Sequence, residues 1–300
     1  MQTLLTESLT YLETSLERYK QEIEKNIQRF IETEIDSRFR EEVKHILEGG
    51  KRLRGATIMM ISELLNGDKD KAMRAATAIE IVHSSSLAID DIIDMDTKRR
   101  GKDAAWVAFG VGKTILVTNV LIPKAVEMVI PLGEKAVKEV LSTWSDVSRG
   151  EILDSYQEDA DYIEVIELKT SRMYELAFVL GALSAGEERL LDTMKTIGRE
   201  IGTLYQVLDD FIDTIFVKSK GEKERLSLER FNKWIGIETG SIDKDELVSK
   251  VRVIVNQYLR KLDSSIQKLP FKKLRDILSV LPYYMIQKQL SEFGLNLPLP

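Results

Sequence analysis

From Leu190 onward, apolar residues recur every three or four positions: Leu190, Met194, Ile197, Ile201, Leu204, Leu208, Phe211 and Ile215. That step is the period of one face of an α-helix. Ala76, Ile79, Val82 and Leu87 keep roughly the same face further upstream. No stretch alternates apolar and polar residues between hairpin turns, as half-buried strands do. Breakers fall between the helical stretches, at Gly49-Gly50, Asn66-Gly67, Gly101, Gly110 to Gly112, Pro131, Gly186, Gly221 and Pro270. Asn66-Gly67 lacks strand-like flanks, so a helix end is expected there. The charged run KSKGEKERLSLER (218–230) reads as a solvated loop, and the closing LNLPLP as a frayed tail. No repeat of solenoid period is present. The pattern predicts an all-α chain.

The 300 residues are 43% hydrophobic, enough for a sizeable core, and the net charge of −6 implies no broad basic surface. A nucleic-acid partner is therefore not expected. The absence of cysteine excludes disulfides, thiolate catalysis and cysteine-based zinc sites. Zero cysteine with abundant Lys and Glu also fits a thermophile. The amphipathic first twenty residues hold no signal-peptide core. No uninterrupted run approaches the ~18 apolar residues that cross a bilayer. The expectation is a soluble, cytoplasmic protein without a transmembrane segment.

Two copies of Asp-Asp-x-x-Asp stand out: Asp90, Asp91 and Asp94, then Asp209, Asp210 and Asp213. Each ends an apolar helical stretch, and the i, i+4 spacing puts the outer carboxylates on one face, one turn apart. Clustered like charges on an apolar helix need an offset. A hard divalent cation supplies it, and Mg²⁺ is typically held by one or two carboxylates together with substrate phosphates and water. Two such walls facing each other would clamp a diphosphate. Since both are needed for one site, a single domain over residues 1–300 is expected. His83 and Ser86 extend the stripe of Asp90 and Asp94, and Gln206 that of Asp209 and Asp213. A polar stripe beside an apolar one suggests a lined cavity; the plainer alternative is a wet outer face. Basic clusters lie close by in sequence, GGKRLR at 49–54 and Arg99-Arg100-Gly101. The guanidinium fork matches phosphate oxygens, and Lys offers a point charge. Gly112-Lys113-Thr114 mimics the end of a P-loop, but Val107 stands where that motif needs glycine. His45 has no metal-spaced partner.

Taken together, GGKRLR (49–54), EIVHSSSLAIDDIIDMDTKRRG (80–101), KTS (169–171) and QVLDDFID (206–213) resemble the trans-polyprenyl diphosphate synthases in order and spacing. The likeness runs from about Gly49 to Asp213. It implies an isoprenoid-synthase-type helical bundle around a central cavity, usually a homodimer. It also implies Mg²⁺-dependent head-to-tail condensation of isopentenyl diphosphate onto an allylic diphosphate. By resemblance, Asp90, Asp94 and Asp209 ligate metal, supported by Asp213 and the second Asp of each motif. Lys51, Arg54, His83 and Arg100 hold isopentenyl diphosphate, and Arg99 and Lys169 the allylic diphosphate. Gln206 and the Lys169–Thr170 backbone face the developing allylic cation. Departures from the family pattern are Ile89 before the first motif, Asp103-Ala104, Thr118-Asn119, Gly150-Glu151, and no clean Gly-Lys match after the second motif.

In short-chain members an aromatic residue four or five positions before the first motif stops product growth. Here Ser86 and Ser85 occupy those places, with Val82 and Ile79 on the following turns, about 5.4 Å apart per turn. An open floor is expected, with a C25 to C35 product and hexaprenyl (C30) favoured. AAWVAFG, at 104–110, also resembles archaeal hexaprenyl synthases. The alternative is that the serines pack small and a distant side chain stops growth at geranylgeranyl (C20). A terpene cyclase or squalene-synthase-like enzyme would lack the paired basic motifs. A noncatalytic partner subunit would usually lose acidic motifs, and a helical scaffold would bind no diphosphate.

Overall fold

The three- and four-residue spacing becomes helix along nearly the whole chain. A computed structural model describes residues 2–216, 222–237, 243–295 and 297. The helices are α1 (Gln2–Glu34), α2 (Arg40–Leu47), α3 (Leu53–Leu64), α4 (Lys69–Ile93), α5 (Ala105–Phe109), α6 (Val111–Val129) and α7 (Glu134–Tyr156). After them come α8 (Tyr162–Ile166), α9 (Arg172–Ser184), α10 (Leu191–Phe216), α11 (Glu222–Trp234), α12 (Lys244–Ile266) and α13 (Lys272–Ser291). The fold is all-α, with one small exception. Two-residue strands β1 (Lys98–Arg99) and β2 (Lys102–Asp103) pair antiparallel. Arg100 (φ 52°) and Gly101 (φ 79°) make the two-residue turn between them. Positive φ at both central positions is the type I′ hairpin geometry, here with a non-glycine residue first.

Two compact units emerge from the contacts: Glu13–Ser145 with Leu176–Leu191, and Met1–Leu12 with Asp146–Glu175 and Asp192–Pro300. The former carries the first acidic motif and is built around α4, which packs against α2, α3, α5 and α6. From Ala75 to Val82 every residue of α4 is buried, so this stretch is core on all sides before its polar end. Asp68 caps its N-terminus by accepting from the backbone N–H of Asp70 and Lys71. Asn66, at φ 55°, turns the chain out of α3, as its sequence neighbourhood suggests.

One stretch is more apolar than expected. Val111–Leu132, α6 and the turn after it, has a mean hydropathy of 1.7 and is only a third buried. By length and composition it could cross a membrane. Lys113, Lys124 and Glu127 interrupt the run and hide it from a search for unbroken apolar sequence.

The other unit carries the second acidic motif on α10. The face at Met194, Ile197, Ile201, Leu204, Leu208 and Phe211 is buried, as the spacing predicts. Helix α8 packs on α11, and α12 on α13. Helix α11 corrects the loop expected at 218–230: from Glu222 the chain is helical, and Phe231 and Arg230 are buried. Charge-rich composition masked a helix whose buried face lies mostly beyond it. Residues 218–221 lie outside the described residues. In the closing segment Leu297 is buried, so that residue is anchored rather than frayed; 296 and 298–300 lie outside the described residues.

Candidate active site

The glycine-led basic turn divides its cations by role. Arg52 takes a left-handed conformation (φ 56°) and is fully buried. Its guanidinium bonds Glu24 (2.8 Å) and the Leu47 carbonyl and lies 3.6 Å from Glu80. A buried cation so surrounded fixes the turn between helices and is lost to ligand binding. Arg54 points elsewhere: its Nη1 donates to His83 Nε2 on α4 at 3.1 Å. Burial, then the cations of Arg54, Arg100, Arg52 and Arg99, hold His83 well below its ordinary pKa, so the ring is neutral and accepts. Lys51 is exposed at the start of the turn.

The hairpin presents the next two cations. Arg100 Nη1 donates to the Glu48 carbonyl (2.7 Å), which lays its side chain over the 49–50 glycines. Burial, then Arg52, lowers its pKa. Arg99 forks onto one oxygen of Asp91, with Nε at 2.8 Å and Nη2 closer still, and its Nη2 lies 3.9 Å from Asp90. His45 stabilises the same hairpin through Nε2 and the Asp103 carbonyl, 2.8 Å apart.

Within the first motif the three carboxylates separate. Asp91 is buried and bound by Arg99; burial raises its pKa and Arg99 opposes the rise. Asp90 and Asp94, half-buried one turn apart, bring carboxylate oxygens within 4.8 Å of each other.

The second motif divides the same way. Asp210 is buried and accepts at both oxygens, from Tyr162 Oη (2.7 Å) and Gln206 Nε2 (3.0 Å). Burial pushes its carboxyl up to about 7; its two donors pull it down while Asp209 and Asp213 push it up. Asp209 and Asp213 are half-buried on successive turns, and Asp209 Oδ1 accepts from Gln289 (3.1 Å). In both motifs, then, protein donors claim the middle carboxylate, and the outer pair is an all-oxygen donor set of the kind that suits a hard cation such as Mg²⁺.

Lys169 and Thr170 sit in a π-helical stretch, Glu167–Ser171, between α8 and α9. Such widened turns often occur at functional sites. Gly150 permits this one: a Cβ there would lie 2.7 Å from the Lys169 backbone nitrogen. Thr170 Oγ1 donates to Gln206 Oε1 at 2.8 Å. Lys169 Nζ lies 2.7 Å from Glu151 and 3.0 Å from Asp154, and Asp154 also accepts from Arg230 (2.6 Å) and Ser227 (2.7 Å).

The polyprenyl synthetase family model matches residues 36–227, a span that takes in every group just described except Arg230, Gln289 and the α1 contact to Arg52. The chain belongs to the polyprenyl synthetase family. It is 35% identical over 280 residues to the hexaprenyl pyrophosphate synthase of Saccharolobus solfataricus, covering 92% of this chain and 96% of that one. The geranylfarnesyl diphosphate synthase of Methanosarcina mazei is 32% identical, over 65% of this chain and 68% of its own. Among solved structures, the geranylgeranyl pyrophosphate synthetase of the archaeon Geoglobus acetivorans superposes with a TM-score of 0.77 at 23% identity, covering 92% and 99% of the two chains. The resemblance seen in the motifs therefore holds, and this polyprenyl synthetase is a prenyltransferase.

Of the residues singled out by sequence, the structure joins Arg54 to His83, Arg99 to the first motif and Thr170 to Gln206. Val82 and Ser85 are buried on α4, and Ser86, half-buried, donates to the His83 carbonyl (2.8 Å). Sequence reasoning passed over Tyr162, Asp154 and Arg230. Tyr162 lies outside the DDxxD spacing, Asp154 meets Lys169 from α7, and Arg230 meets Asp154 from α11.

Proposed function

We propose that this polyprenyl synthetase condenses isopentenyl diphosphate head-to-tail onto farnesyl or geranylgeranyl diphosphate, giving a trans-polyprenyl diphosphate of C25 to C35, with hexaprenyl (C30) favoured. The reading takes residues 1–300 as one catalytic domain, acting in the cytoplasm as a homodimer. The observation that carries it is that Asp90 and Asp94, one turn apart, bring carboxylate oxygens within 4.8 Å of each other while protein donors anchor the middle carboxylate of each motif.

Asp90, Asp94, Asp209 and Asp213 would hold Mg²⁺, which supplies the positive charge that lets a diphosphate leave. Arg99 and Lys169 bind the allylic diphosphate. Each is already oriented by carboxylates, Arg99 by Asp91 and Lys169 by Glu151 and Asp154. Lys51, Arg54, Arg100 and neutral His83 bind the isopentenyl diphosphate. As the allylic C–O bond breaks, its electron pair leaves with the diphosphate. The Gln206 amide oxygen and the Lys169–Thr170 backbone then face the allylic cation, and fixed dipoles of this kind stabilise developing charge. The isopentenyl double bond attacks that carbon, and the proton lost from the adduct passes to the released diphosphate.

Similarity to a hexaprenyl synthase along nearly the whole chain supports the longer product. A specific observation favours a stop at geranylgeranyl (C20): Ser85 has no exposed surface and so packs as a small core residue. The test is product analysis of the purified protein with labelled isopentenyl diphosphate, farnesyl or geranylgeranyl diphosphate, and Mg²⁺. Labelled C25 to C35 products are expected, and Ser86→Phe should shorten them. A stop at C20, or no shortening in the variant, removes the open-floor account. Absence of product from the protein alone points to a noncatalytic partner subunit.

A further inference from the structure

Gln206 has an amide whose two ends look alike in shape and differ in charge. Only the oxygen can face a cation; a flipped amide would present N–H groups and oppose it. Two hydrogen bonds decide the orientation here. Thr170 Oγ1 donates to Oε1, and Nε2 donates to Asp210 Oδ1. The second places Nε2, and not the amide oxygen, against Asp210. Asp210 can play that part only while its own carboxylate is fixed, and its other oxygen is fixed by Tyr162 Oη at 2.7 Å.

Tyr162 is in turn held on three sides. Asp161 caps α8 by accepting from the Glu164 N–H, which sets where α8 begins. The Tyr162 ring packs 4.9 Å from Trp234 and 5.5 Å from Phe231, centroid to centroid, both on α11. Phe231 has no exposed surface and Tyr162 only 4%. These aromatic partners lie beyond residue 227, the last position matched by the family model. The chain of contacts thus runs from α11 through Tyr162 and Asp210 to Gln206.

We propose that Tyr162 is a positioning residue for the prenyl transfer. Its hydroxyl fixes Asp210, and Asp210 fixes the Gln206 amide with its oxygen toward the developing cation. The proposal rests on the reading of Gln206 given above. It separates the second acidic motif into two functions: the outer aspartates for a cation, and the middle one for orienting the amide one turn earlier on the same helix.

Tyr162→Phe tests this, because it keeps the ring on α11 and removes one hydroxyl. At saturating Mg²⁺ and both diphosphates, kcat should fall about 10- to 100-fold, the scale of a misplaced catalytic group. The KM of each diphosphate and the Mg²⁺ concentration for half-activation should stay within about twofold. In a Gln206→Leu background the same substitution should add little, since the group it positions is gone. Unchanged kcat with only a lowered melting temperature would reduce Tyr162 to packing and overturn the proposal. Losses that multiply in the double variant, or a changed Mg²⁺ requirement, would also overturn it. A wild-type protein that makes no product would instead defeat the functional reading beneath it, an outcome distinguishable because it precedes any substitution.

Discussion

At the scale of single residues, adjacent and chemically identical side chains do different work. Asp90 and Asp91 differ by one position, yet Asp91 is buried against Arg99 while Asp90 shares a half-buried face with Asp94. On the proposed reading, Asp90→Asn should therefore remove a carboxylate that would hold the Mg²⁺ neutralising the leaving diphosphate, lowering kcat on the order of a hundredfold or more and raising the Mg²⁺ requirement. Asp91→Asn should act through Arg99, so its effect should fall mainly on the KM of the allylic diphosphate; steady-state kinetics at several Mg²⁺ concentrations separates the two. His83 gives a pH dependence with a definite sign. Its folded-state pKa lies well below the unfolded value near 6.5. Below pH 6.5 the unfolded chain takes up a proton that the folded ring refuses, so this group costs stability as pH falls from 6.5 toward the folded pKa. Asp210 runs the other way, since a carboxyl raised to about 7 favours the folded state at low pH and loses that contribution as pH rises from about 4 through 7. Melting temperatures of wild type and His83→Gln between pH 5 and 8 isolate the histidine: the wild type should lose more on acidification.

At the scale of elements, glycine placement and local helix geometry shape the segment proposed to bind the allylic diphosphate. The π-helical stretch at 167–171 carries Lys169 and Thr170, and its backbone nears α7 at Gly150. Gly202 allows the same on the opposite side, where a Cβ would lie 2.6 Å from the Ser171 Cα. Backbone atoms cannot yield as a flexible side chain would, so Gly150→Ala should cost about 1–3 kcal/mol by overpacking. The displaced segment should also weaken allylic diphosphate binding. Thermal unfolding and the KM for the allylic substrate check both expectations, and a variant with wild-type values in each would show that the segment tolerates the shift. The hairpin at 98–103 illustrates the same economy of local structure, since its left-handed Arg100 aims one guanidinium at the Glu48 carbonyl while Arg99 reaches Asp91.

At the scale of the whole molecule, the exposed side of α6 bears on the proposed homodimer. Val111, Ile115, Leu116 and Val120 lie exposed along it, with Leu116 67% exposed. The nearby charges are internally paired, Lys113 with Glu42 and Lys124 with Glu127 at 3.2 Å. An apolar face whose flanking charges are already neutralised is suited to cover by another protein surface. Leu116→Glu should convert a dimer to monomer in sedimentation equilibrium while leaving the helical circular dichroism unchanged. A dimer that persists would move the interface elsewhere.

Sequence alone determined the fold class and the chemistry. Helical periodicity on α4 and α10 is local, and the i, i+4 spacing puts Asp90 with Asp94 and Asp209 with Asp213 whatever the rest of the chain does. The basic motifs and their spacing to the carboxylates were equally legible, because a family likeness is carried by order along the chain. Three-dimensional packing decided which members of those motifs are taken up in structural contacts. Arg52 and Arg54 look equivalent in GGKRLR, and only the contacts of Glu24, Glu80 and Leu47 show that Arg52 is structural. The middle aspartates were expected only in support, and it is the packing that shows what they hold, Arg99 at Asp91 and Tyr162 at Asp210. Tyr162 carried no signal of its own, since its partner Asp210 lies on a different helix and its aromatic neighbours Phe231 and Trp234 on a third. Periodicity reports which face of one element is buried; which side chain of another element meets that face depends on how the chain returns, and that is settled only by folding.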